Sequence, residues 1–533
     1  MTSLFLSIGP IILLIWMMTK KNALPSHIAL PFTAIFVAIV QLFHFNLDLT
    51  VVIANSISGL LSALTPISIV AGAILLNRLL YFSGSERVIR TWLESISSNK
   101  VAQLMIIGWA FAFMIEGASG FGTPAAIAAP ILIGLGFRPL NVAMFTLTMN
   151  SVPVSFGAVG TPTWFGFSNL GLDEETIIQT AQLSALIHLV AAFFIPSIAL
   201  RFVVSWKEIF NNYQYILFST LSCTIPYFLL AQWNYEFPAL VGGAVGLVIS
   251  IMVARSGFGL YSESTTSERK TERKTERQKH THKEILLAMF PTILLITILI
   301  VTRIKQIGIK PLLLDQTPIF NQSIGMFGDF SVSQSLIITL NNILGTTAAW
   351  SYKLLYVPAL IPFFLVVMIS MLVFKMPAGT FQVMCKETGQ RIKYPFIALI
   401  GALIMVKLMM VGGENSPIMT IGKTFAELTG ESWQYLASYL GALGAFFSGS
   451  ATVSNLTFGA IQQSIAMNVG IPETKILALQ SVGGAMGNMV CINNIIAVST
   501  ILGIKKQEGY ILKRTFIPMT IYGLIAAIMS YII

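Results

Sequence analysis

The chain has 533 residues, 55% of them hydrophobic and 10% charged, whereas soluble domains carry about 45–50% apolar and about 25% charged residues. Water is therefore excluded as its main solvent. The formal net charge of +10 does not point to nucleic acid, because the Lys and Arg residues fall between apolar stretches rather than on one face of a soluble module. Membrane proteins enrich their cytoplasmic loops in these residues, so the expected partner is a lipid bilayer.

A bilayer core of about 30 Å takes about 20 apolar residues per helix. Suitable stretches run near residues 2–19, 24–45, 51–82, 101–115, 140–167, 177–203, 213–232 and 237–254. The first lacks a preceding basic region and runs almost directly into the second, so a span is expected there rather than a cleaved signal. Between 255 and 284 lies the run SERKTERKTERQKHTHKE, which has no apolar residues to bury and predicts a solvated, basic cytoplasmic linker. A second apolar set follows near 285–302, 332–348, 353–374, 395–411, 433–447, 475–503 and 514–533.

Basic loops at Lys20 and Lys21, at Arg87, Arg90 and Lys100, and at Lys386, Arg391 and Lys393 are expected on the linker's side. The loop with Glu414, Glu427 and Glu431 then faces outward. With these sides assigned, the halves 1–254 and 285–533 run in opposite directions. A weak internal echo agrees: Ser151, Val152 and Gly157 match Ser481, Val482 and Gly487 at one constant offset. The expectation is an all-α polytopic membrane protein with about 12–14 transmembrane helices, arranged as two inverted repeats with re-entrant or broken hairpins. Such repeats put a substrate site near the bilayer midplane.

Four polar interruptions mark that site. Residues 114–136 read MIEGASGFGTPAAIAAPILIGLG, which sets Glu116, Gly117, Ser119, Gly120, Gly122 and Thr123 in apolar surroundings. Interior Gly costs about 1 kcal/mol and Pro about 3 kcal/mol relative to Ala, so the helix breaks and lines a cavity; close packing through small residues is the competing reading. Residues 446–458, FFSGSATVSNLTF, crowd Ser448, Ser450, Thr452, Ser454 and Asn455 together. The other two are NSVPVSFGAVGTP, from Asn150 and Ser151, and QSVGGAMGNMVCINN, containing Gln480 and Asn488.

The stretches EGASGFGTPAAIAAPILIGLGF, NSVPVSFGAVGTP and SGSATVSN resemble the L-lactate permease family, which includes glycolate permeases, and the similarity spans most of the chain outside the linker. It implies uptake of 2-hydroxy monocarboxylates such as L-lactate, D-lactate and glycolate by proton symport across the plasma membrane. The wider ion-transporter group implies paired re-entrant hairpins, elevator-like movement and a homodimer. One departure stands out: the family carries Lys and a SerProGln element in its last polar motif, where this chain reads GNMVCINN with Asn488 in the Lys position. That leaves open another short acid as substrate, or an anion held by other donors.

The residue chemistry suits such a substrate. Broken-helix N-termini offer free N–H groups to a carboxylate, Gly117, Gly120 and Gly122 allow close backbone approach, and Ser450, Thr452, Ser454 and Asn455 supply further donors. Asn150, Asn455 and Asn488 match a hydroxyl that both donates and accepts. An anion entering alone works against an inside-negative potential at about 2.3 kcal/mol per charge per 100 mV, and one accompanying proton cancels that cost. Glu116 is the expected proton carrier, since desolvation moves a carboxyl toward titration near neutral pH and intramembrane ionisable groups are functional by default. Pairing with Lys407 and capping of the broken helix are its structural alternatives. Lys407 itself either binds the anion or snorkels outward, and His188 is read as hydrogen-bonded packing.

Other classes are less well served. GxxxxGK[ST], GxSxG and HExxH are all absent, GKT at Gly422 lacking its upstream Gly, which argues against an enzyme or an ATP-driven pump. Cys223, Cys385 and Cys491 lie far apart and form no CxxC pair, so neither a disulfide framework nor a thiolate metal site is expected; no cofactor is expected either. A sodium-coupled carrier of another small carboxylate is the closest alternative, and an anion channel is the next.

Overall fold

The computed structural model describes residues 2–19, 24–120, 123–261, 280–303, 307–357, 359–504 and 507–533. Gly122 and most of the expected linker, 262–279, lie outside the described residues. Within them nine helices are long and apolar enough to cross a membrane, and a tenth span is formed if the pair Pro139–Met149 and Pro153–Leu170, bent by 59°, is counted as one. Large apolar side chains such as Phe5, Phe32, Met252 and Ile528 are exposed on the outer faces, as lipid rather than water accommodates. The architecture is that of an all-α polytopic membrane protein.

Small residues let the helices approach closely, as membrane packing requires. A Cβ on Gly59 would lie 2.8 Å from the Cα of Ile404, which holds the tract Leu49–Phe82 against the long helix Ala378–Met410. Gln41 tightens the same layer through its amide, which donates to the carbonyl of Leu408.

Two expectations are corrected. The apolar stretch 332–348 is not a helix; it contributes to a four-stranded antiparallel sheet in the order β1 (Pro318–Ser323), β2 (Asp329–Ser333), β3 (Ile337–Asn341) and β4 (Trp350–Lys353). Its Ile-Ile-Thr-Leu core is β-branched and short, and the run ends at Asn341, Asn342 and Gly345, so hairpin pairing prevails over helix formation. Several expected loops are helical as well: Arg87 and Arg90 lie on the helix Ser85–Ser95, Glu427 lies on Pro417–Thr429, and the same holds for Lys386, Arg391 and Lys393. These last three lie within the helix Ala378–Met410, in a stretch of Lys, Glu, Gln and Arg that favours helix.

The molecule has two polar ends. Ser58 donates to the carbonyl of Ala349 (2.6 Å) and the Tyr352 hydroxyl to Ser68 (3.1 Å), seating the sheet against the first part of the Leu49–Phe82 tract. Arg78 sits twenty residues beyond Ser58, about 30 Å along a helix, and pairs with Glu387 at 3.4 Å. The contact between Thr91 and His280 (2.6 Å) ties the far flank of the linker to the 83–100 region, while Asn99 bonds the carbonyl of Tyr261 (3.2 Å) at the near flank.

Candidate functional site

All four polar interruptions break their helices. The first helix stops at Ser119, Gly120 turns with φ +57°, and a new helix runs over Thr123–Gly134. The second break follows Asn150, where Ala158, Val159 and Gly160 take φ of 44°, 56° and 69° in succession. A β-branched residue is rarely left-handed, and such strain persists only where the surroundings impose it. The third lies at Gly449 (φ +74°), after which Ser450 caps the helix Ala451–Val469 by accepting from the Val453 N–H at 3.3 Å. The fourth runs from Asn488 to Cys491, between Glu473–Gly487 and Ile492–Ile501.

The four breaks meet. A cavity of about 20 Å³, room for about one water, is lined by residues of every one of them, including Glu116, Gly120, Asn150, Ser450, Thr452 and Asn488. Glu116 is 3% exposed and accepts from Asn150 Nδ2 at 3.0 Å. Gly157 is forced by this arrangement, because a Cβ there would collide with Glu116 Oε1. Lys407 lines a different cleft, beside the sheet, and makes no ion pair with Glu116 among the described residues. The lining includes the N-terminal turn of Ala451–Val469, a helix end whose partial positive charge favours an anion.

A larger cleft of about 310 Å³ adjoins it and shares Asn150 and Asn488, with Ser119 on the same wall. This matches the lower end of small-ligand pockets, about 300–1,000 Å³. Asn494 donates to Asn488 Oδ1 at 2.7 Å and holds that amide at the junction. Arg78 and Arg391 line the same cleft; the sequence reading passed over Arg78, an ionisable residue inside the apolar stretch 51–82, and assigned Arg391 to a loop.

The remaining predicted residues sit elsewhere. Gly117 packs against the backbone of Ala239 and Leu240. Ser151 is buried and donates to the Thr148 carbonyl at 2.8 Å. Gln480 donates to Ser454 Oγ (3.0 Å) and Asn455 Oδ1 (3.2 Å), while Asn455 donates to the Pro162 carbonyl (2.9 Å) and Ser454 to that of Gly441 (2.7 Å). These three knit the helices around the cavity rather than line it. Thr123 opens its helix, and Gly122 is outside the described residues. His188 contacts the Tyr522 hydroxyl through Nδ1 and Ser155 Oγ through Nε2 (2.8 Å), and Ser155 in turn accepts from Ser481 (2.9 Å).

Among the described residues no group of three or more His, Cys, Asp or Glu side chains is placed to hold a metal. Bent spans converging on a buried polar centre, with a ligand-sized cleft adjoining it, define a multi-pass membrane transporter. The chain belongs to the L-lactate permease family, whose model matches residues 3–533. It is 55% identical over 99% of its length to a Haemophilus influenzae protein provisionally named L-lactate permease, covering 98% of that protein. It is also 24% identical to the glycolate permease of Escherichia coli (96% of this chain, 92% of the relative) and 24% identical to the L-lactate permease of Bacillus subtilis (98% and 94%). The family members are permeases, and the chain is a transporter rather than an enzyme.

Proposed function

We propose that the protein imports L-lactate and related 2-hydroxy monocarboxylates, D-lactate and glycolate among them, together with protons across the plasma membrane. The observation that carries this reading is the pairing of Glu116 with Asn150 in a cavity lined by all four helix breaks. Burying a charge is costly unless it is paired, and the partner here is an amide rather than a cation. Asn150 suits both states of the acid: Nδ2 donates to the carboxylate, and Oδ1, buried without a partner among the described residues, accepts from the carboxylic acid once the amide turns. Glu116 is thereby the proton carrier, and Ser450, Thr452, Asn150 and Asn488 face the substrate.

The two halves, 1–254 and 285–533, are inverted repeats on this reading. Support comes from the equivalence of the breaks and from the buried contact between Ser155 and Ser481, which joins the two motifs with the constant offset. The linker 255–284 is cytoplasmic, with Arg87, Arg90 and Lys100 on its side and the sheet outside, and the protein pairs as a homodimer. Movement of the break-bearing helices against those carrying Arg78 and Lys407 opens the two clefts in turn.

The test is uptake of radiolabelled L-lactate, D-lactate and glycolate by proteoliposomes, with and without an inward proton gradient and with sodium replaced by choline. Gradient-stimulated, sodium-independent uptake that a protonophore abolishes is expected. Uptake that follows sodium instead of protons would refute the coupling assignment, and flux rising linearly with concentration would refute the carrier mechanism.

A further inference from the structure

Among the described residues, those lining the buried centre include no cation, yet the substrate proposed above is an anion. The adjoining cleft supplies the missing charge. Arg78, on the tract Leu49–Phe82, has a side chain only 13% exposed, and its single ion pair among the described residues is Nη1 to Glu387 Oε2 at 3.4 Å. Its Nε is buried without a hydrogen-bond partner among the described residues, and a buried donor left unsatisfied costs about 1–3 kcal/mol, more for a charged group. Arg391 follows Glu387 by four residues on Ala378–Met410, hence on the same helix face, and lines the cleft without an ion pair among the described residues. Among the described residues one carboxylate, Glu387, thus stands near two guanidinium groups and pairs with only one of them.

We infer that Arg78 and Arg391 form a docking site for the carboxylate of a small monocarboxylate anion, with Asn150 and Asn488, which line the same cleft, meeting the rest of the molecule. A guanidinium presents paired N–H donors that fit a carboxylate bidentately, and the orphaned Nε of Arg78 gains the partner it lacks. Asn150 and Asn488 line both spaces, so a hydroxy acid held at the arginines is one step from Glu116. The cleft is where substrate waits before entering the centre, or after leaving it, at the end of the molecule that carries the linker. The assignment rests on the transport reading only for the identity of the acid.

The experiment measures the melting temperature of the purified full-length protein in the presence of L-lactate, glycolate and acetate, with lactamide and chloride as controls. Wild type is compared with Arg391→Gln, which alters an exposed side chain, and with Arg78→Lys, which keeps the charge and loses the fork. Stabilisation of wild type by the carboxylates but not by lactamide is expected. It disappears in Arg391→Gln and falls in Arg78→Lys, and KM for uptake rises about tenfold or more, as expected for loss of a charged hydrogen bond, with the ligand-free melting temperature of Arg391→Gln unchanged. Unaltered carboxylate binding in both variants, or a wild type that no carboxylate stabilises, overturns the site. Stabilisation by acetate that the variants lose, in a protein that transports no hydroxy acid, upholds the site and refutes only the substrate named above.

Discussion

Asn150 and Glu116 come from different broken spans, 34 residues apart, and meet across 3.0 Å with the amide donating to Oε2. That contact joins the first two breaks at the cavity wall, and it gives the buried acid a neutral partner that serves it with or without a proton. Glu116→Gln keeps the size and most of the hydrogen bonding but removes the titrating group. Gradient-driven uptake is expected to fall to the level seen without a gradient while exchange of labelled for unlabelled lactate persists. Paired uptake and counterflow assays on one preparation check this, and unaltered coupling would rule Glu116 out as carrier.

Two glycines near this acid separate function from fold. A Cβ at Gly157 meets Glu116 Oε1, a side-chain atom, whereas a Cβ at Gly117 meets the backbone of Leu240. Gly117→Ala is therefore expected to destabilise the protein by about 1–3 kcal/mol, the usual cost of overpacking. Gly157→Ala displaces the carboxylate and is expected to abolish proton-driven uptake with a smaller loss of stability. Melting temperatures and transport rates of the two variants distinguish these effects.

His188 illustrates a buried ionisable group whose capacity is used up. Tyr522 engages Nδ1, and Ser155 engages Nε2 while also accepting from Ser481. His188→Phe strands these hydroxyls, so a stability loss of about 1–3 kcal/mol is expected with no change in the proton-to-substrate ratio. A reversal-potential measurement on the folded variant reads that ratio directly, and a changed value would make His188 part of the proton path.

Gln480 donates to both Ser454 and Asn455, and its Oε1 accepts from Gln462 Nε2 at 3.0 Å. Gln480→Leu leaves several buried polar atoms without partners and is expected to lower the melting temperature, with KM for the surviving protein changed by less than about threefold, under 1 kcal/mol. A large KM change at unchanged stability would instead put Gln480 in contact with substrate.

Much of this centre is legible in the sequence because Gly, Pro, Ser and Asn are conspicuous inside apolar stretches, where a continuous helix would leave them unexplained. Breaks at Gly120, Gly449 and Asn488 follow from that local chemistry. The contact between Glu116 and Asn150 does not, since nothing in composition or spacing fixes which two breaks touch. Nor does the division between residues that line the cavity, such as Thr452, and those that bond one another, such as Ser454 two residues later, for on a helix these point in different directions. The sheet is hidden for another reason: Ile337 to Leu340 is as apolar as a membrane helix, and only its shortness and β-branching distinguish it. Arg391 is hidden because it sits among charged residues that read as a loop, and Arg78 because it stands alone inside an apolar stretch whose spacing does not tell what it faces; both lie on helices and line one cleft.

The central claim is that a 2-hydroxy monocarboxylate crosses with a proton held at Glu116. The most direct measurement is uptake of radiolabelled L-lactate into proteoliposomes holding wild type or Glu116→Gln, under an inward proton gradient and after its collapse by protonophore. The account predicts accumulation by wild type that the protonophore abolishes and that Glu116→Gln lacks. Accumulation by Glu116→Gln equal to wild type, or uptake by wild type indifferent to the gradient, would contradict it.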